Sequence, residues 1–125
     1  MQLDQPEVSA EVAAAFDAYE RALVANDVPT MLGFFAEGAV RFGIADQQVG
    51  LAEQRRWRLA QPPLPAGRRL KDTTIQAYGP DTAIVTTLFG YPGSEVLGRQ
   101  SQIWVRLPDG WRIVHAHVSE PRTVT

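Results

Sequence analysis

The chain has 125 residues, of which 45% are apolar and 21% are charged. This length predicts a single domain over residues 1–125 with one hydrophobic core, and the composition is typical of a globular protein that dissolves in water. No stretch approaches the roughly 18 consecutive apolar residues that a membrane-spanning helix needs. We therefore expect no membrane partner.

The charges and the missing cysteines exclude further classes. Twelve Lys+Arg oppose fourteen Asp+Glu, a formal net charge of −2, so the chain lacks the positive field of a nucleic-acid-binding protein. There is no cysteine, which removes disulfides and thiolate catalysis, and two histidines are too few for a histidine-only metal site. The N-terminal residues show no basic or apolar leader. These features predict a cytoplasmic protein that uses neither a metal nor another cofactor.

Three helices are expected in the first half of the chain. Apolar residues spaced four, four, three and four positions apart predict a long amphipathic helix from Pro6 to Val24. These residues are Val8, Val12, Phe16, Tyr19 and Leu23. A short helix is expected from Pro29 to Phe35, and a third from Gly50 to Ala60, where the prolines of QPPLPAG end it.

The remaining segments predict strands. Ala39 to Gly43 is expected to be a short strand, with Val40 and Phe42 on one face and Arg41 on the other. From Leu70 onward, strand-forming residues alternate with short turns rich in Gly, Pro and Asp, which is typical of an antiparallel meander. Helices followed by strands predict an α+β fold, in which the helices cover one face of a curved antiparallel sheet.

The LPDG turn predicts how the last two strands pair. A type I turn followed by Gly110 in a left-handed conformation gives a three-residue hairpin that pairs Leu107 with Trp111. In this register Trp104 lies opposite Val114, and one face carries Gln100, Gln102, Trp104, Val114, Ala116 and Val118. The other face carries Ser101, Ile103, Val105, Ile113, His115 and His117. Because both faces are partly apolar, we expect one to line a pocket and the other to contact a second subunit in a homodimer.

Two single residues are candidates for catalysis, since no Gly-rich phosphate loop, serine nucleophile elbow or acidic metal cluster is present in the sequence. Tyr19 lies on the apolar stripe of the first helix. There it is either a core aromatic or a phenol directed into a pocket as a hydrogen-bond donor or general acid. Arg41 is either a solvated strand residue or a guanidinium that clamps a substrate carboxylate.

Half of the basic residues lie in one 17-residue window. They are Arg55, Arg56, Arg58, Arg68, Arg69 and Lys71. Only Trp57 interleaves with them as a stacking aromatic, so a solvated face, or a field that draws small anions into a pocket, is favoured over nucleic-acid binding. We assign Arg58, together with Gln100 and Gln102, as candidate substrate-binding residues, although paired surface amides are an equal alternative. His115 and His117 are expected to be core or interface histidines.

Three segments carry a resemblance to a known family. They are EVSAEVAAAFDAYERALVANDV, VRFGIADQQVGLAEQRRWR and GRQSQIWVRLPDGWRIVHAHVS, and they extend from Glu7 to Ser119. With these segments the sequence resembles the AtzH-like family, within the SnoaL-like branch of the nuclear transport factor 2-like superfamily. The resemblance implies a cone-shaped α+β fold, usually dimeric, with a pocket between helix and sheet.

The resemblance also implies an activity. AtzH-like proteins convert 1,3-dicarboxyurea, a small anionic substrate, to allophanate, a decarboxylating amidohydrolase step of nitrogen catabolism that follows an amidase. A functional association with an amidase is therefore expected. The family's catalytic tyrosine in AFxxYExAL falls on Tyr19, and its catalytic arginine in VR[FY]G falls on Arg41.

Two other functions stay open. The fold also serves as a non-catalytic small-ligand-binding or accessory module, because fold alone does not fix function. A SnoaL-type cyclase or isomerase is the third alternative, and it would need an Asp or Glu in the pocket as a base. The sequence offers no obvious residue for that role, since Asp72 is at a strand start and Glu95 is near a turn.

Overall fold

The structure is a computed structural model that describes residues 5–122, so both ends of the predicted 1–125 domain lie outside the described residues. The helices are α1 (Pro6–Val24), α2 (Val28–Leu32) and α3 (Leu51–Leu59). The strands are β1 (Phe35–Phe42), β2 (Gln47–Val49), β3 (Arg69–Ala77), β4 (Thr82–Gly90), β5 (Gly98–Leu107) and β6 (Gly110–Ser119). Within residues 5–122 the strands form one sheet in the order β2-β1-β6-β5-β4-β3. Neighbouring strands are antiparallel except β1 and β6, which are parallel.

Helix α1 has the predicted bounds and buries the predicted stripe. Pro6 occupies its first turn, where a missing N–H costs nothing, and Glu7 is placed favourably for the helix dipole. The residues at helical spacing are at most 7% exposed, whereas their neighbours on the other face are in water. No helix in the described part of the chain is long and apolar enough to cross a membrane.

The second helix is shorter than expected and the first strand is longer. Helix α2 starts at Val28, where the Asp27 carboxylate accepts a hydrogen bond from the Thr30 amide, and it ends at Leu32. Phe35, predicted to be helical, is the first residue of β1 and pairs with Ile113 of β6. Sheet pairing therefore takes this residue from the helix, a tertiary contact that local periodicity does not reveal. Strand β2, which antiparallel pairing joins to the other end of β1, was not predicted.

The predicted register of the β5–β6 hairpin is wrong near the turn. Leu107 pairs with Gly110, not Trp111, so the turn has two residues instead of three. A register shift between Ile103 and Trp104 then inserts one extra residue into β6, and Trp104 pairs with Ile113 rather than Val114. Beyond this bulge the predicted pairing of Gln102 with Ala116 is correct.

The corrected register changes which side chains face the helices. Trp111 and Ile113 are 8% and 0% exposed in the core, whereas the predicted register put Ile113 on the opposite face. The outer face retains partly exposed Ile103 and Val105. His115 and His117 also lie on the outer face, with ring centroids 5.7 and 5.8 Å from that of Phe42.

Candidate functional site

A cavity of about 260 Å³ lies between the helices and the inner face of the sheet. Its lining includes all five predicted site residues, which are Tyr19, Arg41, Arg58, Gln100 and Gln102. They come from α1, β1, α3 and β5, so the fold brings together residues that are distant in sequence. Leu64 and Pro65, in the segment after α3, line the cavity with apolar surface.

Tyr19 is 5% exposed and its ring is fixed by three aromatic neighbours. The ring centroids of Phe34, Phe35 and Trp104 lie 6.3, 5.8 and 6.4 Å away, all in edge-to-face arrangements. The phenol oxygen forms no hydrogen bond within residues 5–122, so it is available to a molecule in the cavity. Packing therefore positions the ring, and the hydroxyl has no structural partner to satisfy.

Tyr19 is a neutral phenol at physiological pH. Burial raises the pKa of Tyr19 above its usual value, and the negative charge of Glu20 raises it further. Three guanidinium groups oppose this effect, that of Arg58 most strongly, followed by Arg41 and Arg68. The hydroxyl is therefore a hydrogen-bond donor, and the arginines partly stabilise the phenolate that proton donation would leave.

Arg41 is held by a side-chain network at the start of the loop after β1. Its Nη1 donates to Asp46 Oδ2 at 2.5 Å and to Gln48 Oε1 at 3.0 Å, and Gln48 Nε2 donates to Asp46 Oδ2 at 2.8 Å. Partial burial opposes ionisation of Asp46, but the hydrogen bond from Gln48 and the charge of Arg41 lower its pKa overall. A Cβ on Gly43 would overlap the Asp46 carboxylate, so glycine is needed for this approach.

Arg58 stands in a different environment. Its guanidinium carbon lies 4.6 Å from the ring centroid of Trp57, and that of Arg41 lies 4.7 Å from the same ring. No carboxylate of the described residues forms an ion pair with Arg58, and its buried Nε has no hydrogen-bond partner there. Burial lowers the pKa of Arg58, because it removes part of the water around the charge, and the charge of Arg41 lowers it further, whereas Asp46 opposes the shift.

A second buried network joins α1 to the sheet. Arg68 Nε donates to Glu20 Oε1 at 2.9 Å, and Arg68 Nη2 donates to Glu20 Oε2 at 3.3 Å and to Gln100 Oε1 at 3.1 Å. Gln100 Nε2 in turn donates to Glu20 Oε2 at 3.2 Å, and Arg68 Nη1 donates to the Tyr91 hydroxyl at 3.3 Å. This closed network places Gln100 in the cavity wall with both ends of its amide engaged.

Gln102 has one engaged and one available amide atom. Its Oε1 accepts a hydrogen bond from Trp104 Nε1 at 2.9 Å, which fixes the orientation of the amide. The Nε2 group has no partner among residues 5–122 and can donate to an oxygen atom in the cavity. Gln102 therefore suits ligand binding better than Gln100 does.

Sequence reasoning missed several residues that shape the cavity. Asp46 and Gln48 hold Arg41, Glu20 neutralises Arg68, and Trp57 stacks against two guanidinium groups. The one signal available was the basic window itself. That window divides in the structure, because Arg58 and Arg68 line the cavity while its other basic residues are exposed.

The positions of the histidines and the acidic residues decide whether the cavity has a metal site or a catalytic base. His115 and His117 are on the outer face of the sheet and do not line the cavity. Among residues 5–122, no group of three His, Asp or Glu side chains is placed to hold a metal ion. Of the described carboxylates, Asp46 and the exposed Glu120 line the cavity, and neither Asp72 nor Glu95 lines it.

Comparisons with known proteins agree on the fold. The sequence profile of the AtzH-like family matches residues 1–123, and no protein of curated function matches the sequence. A crystal structure from Burkholderia xenovorans, described as a cystatin-like fold protein, is 44% identical, covers 99% of each chain and superposes with a TM-score of 0.92. A crystal structure from Pectobacterium atrosepticum, a protein of unknown function from the DUF3225 family, is also 44% identical. It covers 96% of this chain and 95% of its own, with a TM-score of 0.91.

A more distant crystal structure identifies the fold. A nuclear transport factor 2-like protein of unknown function from Pseudomonas putida is 20% identical, covers 96% of this chain and 91% of its own, and has a TM-score of 0.84. The predicted α+β fold of the nuclear transport factor 2-like type is therefore confirmed.

Proposed function

Because this chain belongs to the AtzH-like family, we propose that it is a cofactor-independent enzyme that decarboxylates a small N-carboxylated urea, with 1,3-dicarboxyurea as the substrate to test. The observation that carries the proposal is the cavity itself. It combines a neutral phenol on Tyr19 with a guanidinium on Arg58, neither of which has a hydrogen-bond or ion-pair partner among residues 5–122, beside the Arg41 network. A proton donor and fixed positive charge are the two things that such a reaction requires.

The proposed reaction couples protonation of a urea nitrogen to loss of carbon dioxide. The urea nitrogen that carries the leaving carboxylate gains one proton, the bond between that nitrogen and the carboxyl carbon breaks, and its electron pair stays on nitrogen. Carbon dioxide leaves, and 1,3-dicarboxyurea becomes allophanate with one negative charge fewer. Tyr19 supplies the proton and regains one from solvent, while the guanidinium charges stabilise the transient phenolate. In the hydrolytic alternative, water adds to the carboxyl carbon, the bond from that carbon to nitrogen breaks, one proton of the water goes to nitrogen and bicarbonate leaves. The same groups stabilise the oxyanion.

The test is carbon dioxide release from 1,3-dicarboxyurea, measured above the spontaneous rate. Tyr19→Phe should lower turnover by roughly 10²- to 10⁴-fold, the usual contribution of a general acid. Its melting temperature should hardly change, because the hydroxyl has no hydrogen bond within the described residues. Tyr78→Phe is the matched control, since Tyr78 lies outside the cavity and its hydroxyl bonds only to Gln76.

Arg41→Lys completes the test, because lysine keeps the charge but loses the planar fork. It should also lower turnover strongly, and the Tyr19→Phe/Arg41→Lys double variant should be scarcely worse than either single variant if both act on one transition state. Wild-type turnover in either single variant would contradict its assigned role. Binding of dicarboxyurea without any turnover by the wild type would favour the non-catalytic ligand-binding module instead.

A further inference from the structure

The cavity contains three arginines that differ in how their charge is compensated. Arg41 forms an ion pair with Asp46 at 2.5 Å, and Arg68 forms one with Glu20 at 2.9 Å. Arg58 has neither an ion pair nor a side-chain hydrogen bond within residues 5–122, and its Nε is fully buried. The surplus positive charge of the inner cavity therefore resides on Arg58.

A half-buried guanidinium whose Nε has no hydrogen-bond partner is unfavourable for the empty protein. A buried ion is normally paired or hydrogen-bonded, and arginine cannot escape the cost by losing its proton. Trp57, 4.6 Å below the guanidinium carbon, compensates in part through its ring face and fixes the plane of the group. Because Arg58 lines the cavity, its guanidinium is suited to bind an anionic molecule that enters there.

We propose that Arg58, supported by Trp57, is the primary receptor for the substrate carboxylate when the substrate binds. This assignment rests on the proposed function, since it concerns how that same substrate is bound. It leaves to Arg41 the catalytic role that the family resemblance implies, exerted on the transition state rather than on binding. A carboxylate approaching Arg41 meets a charge that is already shared with Asp46 through Nη1, whereas a carboxylate approaching Arg58 meets a guanidinium that no carboxylate of the described residues pairs.

The position of Arg58 also suits the chemistry. Of the three arginines, Arg58 acts most strongly on the phenol of Tyr19. Both residues line the same cavity, so a carboxylate held by Arg58 lies in the cavity that Tyr19 also lines. Gln102 Nε2, which has no partner among the described residues, lines the same cavity and can donate to a second oxygen of the bound molecule.

Malonate is a suitable probe, because it is a small, stable dicarboxylate, and malonamide is its neutral counterpart. Isothermal titration calorimetry should show that the wild type binds malonate and does not bind malonamide. Arg58→Gln should raise the Kd for malonate roughly 10- to 100-fold, the worth of a charge-assisted bond. Arg56→Gln, an exposed arginine on the same helix, is the matched control and should leave the Kd unchanged.

Melting temperatures separate the binding role of Arg58 from a structural one. Arg58→Gln should leave the melting temperature unchanged or raise it, because it removes a half-buried charge that no carboxylate of the described residues pairs. Arg41→Gln should lower the melting temperature, since it leaves Asp46 unpaired, but should retain most malonate binding. Arg58→Lys keeps the charge without the guanidinium plane and should weaken binding to an intermediate degree.

Three results would overturn the assignment in different ways. If the wild type binds malonate and Arg58→Gln binds it equally well, Arg58 is not the receptor, while the proposed anionic substrate still stands. If the wild type binds neither malonate nor dicarboxyurea, both this assignment and the proposed function are wrong. Loss of binding in Arg41→Gln with full binding in Arg58→Gln would return the clamp to Arg41.

Discussion

The buried pair of Glu20 and Arg68 gives a prediction for stability. The side chains are 9% and 5% exposed, and two guanidinium nitrogens donate to the two carboxylate oxygens. In a Glu20→Ala variant, Arg68 would keep its hydrogen bonds to Gln100 and Tyr91, but it would lie next to no anion. The variant thus leaves a buried charge uncompensated, which costs far more than a lost surface contact.

The expected loss in the free energy of unfolding is about 3–5 kcal/mol, the usual cost of removing one partner of a buried pair. For a domain of this size that corresponds to a fall in melting temperature on the order of 10–20 °C. A Glu20→Met/Arg68→Met double variant should recover most of the loss, because apolar side chains of similar length leave no buried charge. Asp17→Ala is the matched control on the same helix. Its ion pair with Arg21 is exposed, so the melting temperature should hardly move.

Urea unfolding followed by tryptophan fluorescence measures these differences, provided that the slope with denaturant is the same for all variants. A loss below about 1 kcal/mol in Glu20→Ala would show that the pair is not buried as described. The single variants Glu20→Met and Arg68→Met complete the comparison. If the double variant lost as much free energy of unfolding as these two single variants together, desolvation of the unpaired charge would not be the cause.

Two further predictions concern assembly and alkaline pH. We propose that the outer face of the sheet, with Phe42, Ile103 and Val105, contacts a second copy of the chain. Light scattering at micromolar concentration should therefore give the mass of a dimer, and the mass of a monomer would refute the proposal. Because the pKa of Tyr19 is raised from its usual 10.0 in the folded state, its stabilising contribution is present below about pH 10 and is lost as the pH rises through the folded value. The urea midpoint of the wild type should therefore fall more steeply above pH 10 than that of Tyr19→Phe, and parallel pH profiles would contradict the raised pKa.

The sequence predicted the long helix better than the hairpin, for a physical reason. Five apolar residues at helical spacing have one face on which all can be buried, and α1 has the predicted bounds. The LPDG turn is compatible with both a two-residue and a three-residue loop, so the sequence alone does not decide whether Leu107 pairs with Gly110 or Trp111. The bulge beside Val114 restores the register further along β6, which is why Gln102 and Ala116 pair as predicted although Ile113 does not face as predicted.

The candidate residues were accessible from the sequence, but their partners were not. Tyr19 lies at a position typical of an apolar core residue, and Arg41 lies at a position typical of a solvated strand residue. The family resemblance falls on the same two positions. The carboxylate that neutralises Arg68 comes from a residue 48 positions away, so only the packing of α1 on the sheet brings the two together. Likewise, Asp46 reaches Arg41 because Gly43 leaves room for its carboxylate, a steric condition that no spacing pattern encodes.

These pairings favour one class of chemistry for the cavity over another. An isomerase or cyclase that shuttles a proton needs a carboxylate free to accept it. The inner carboxylates of the described residues, Glu20 and Asp46, are both bound by arginines, and the pKa of Asp46 is lowered, which makes it a weaker base. Glu120 is at the exposed edge of the cavity, where water competes for its charge. In the described part of the cavity, the groups left without a partner are the Arg58 cation and the Tyr19 phenol. These are the groups that the proposed reaction needs, since its substrate is an anion that receives a proton.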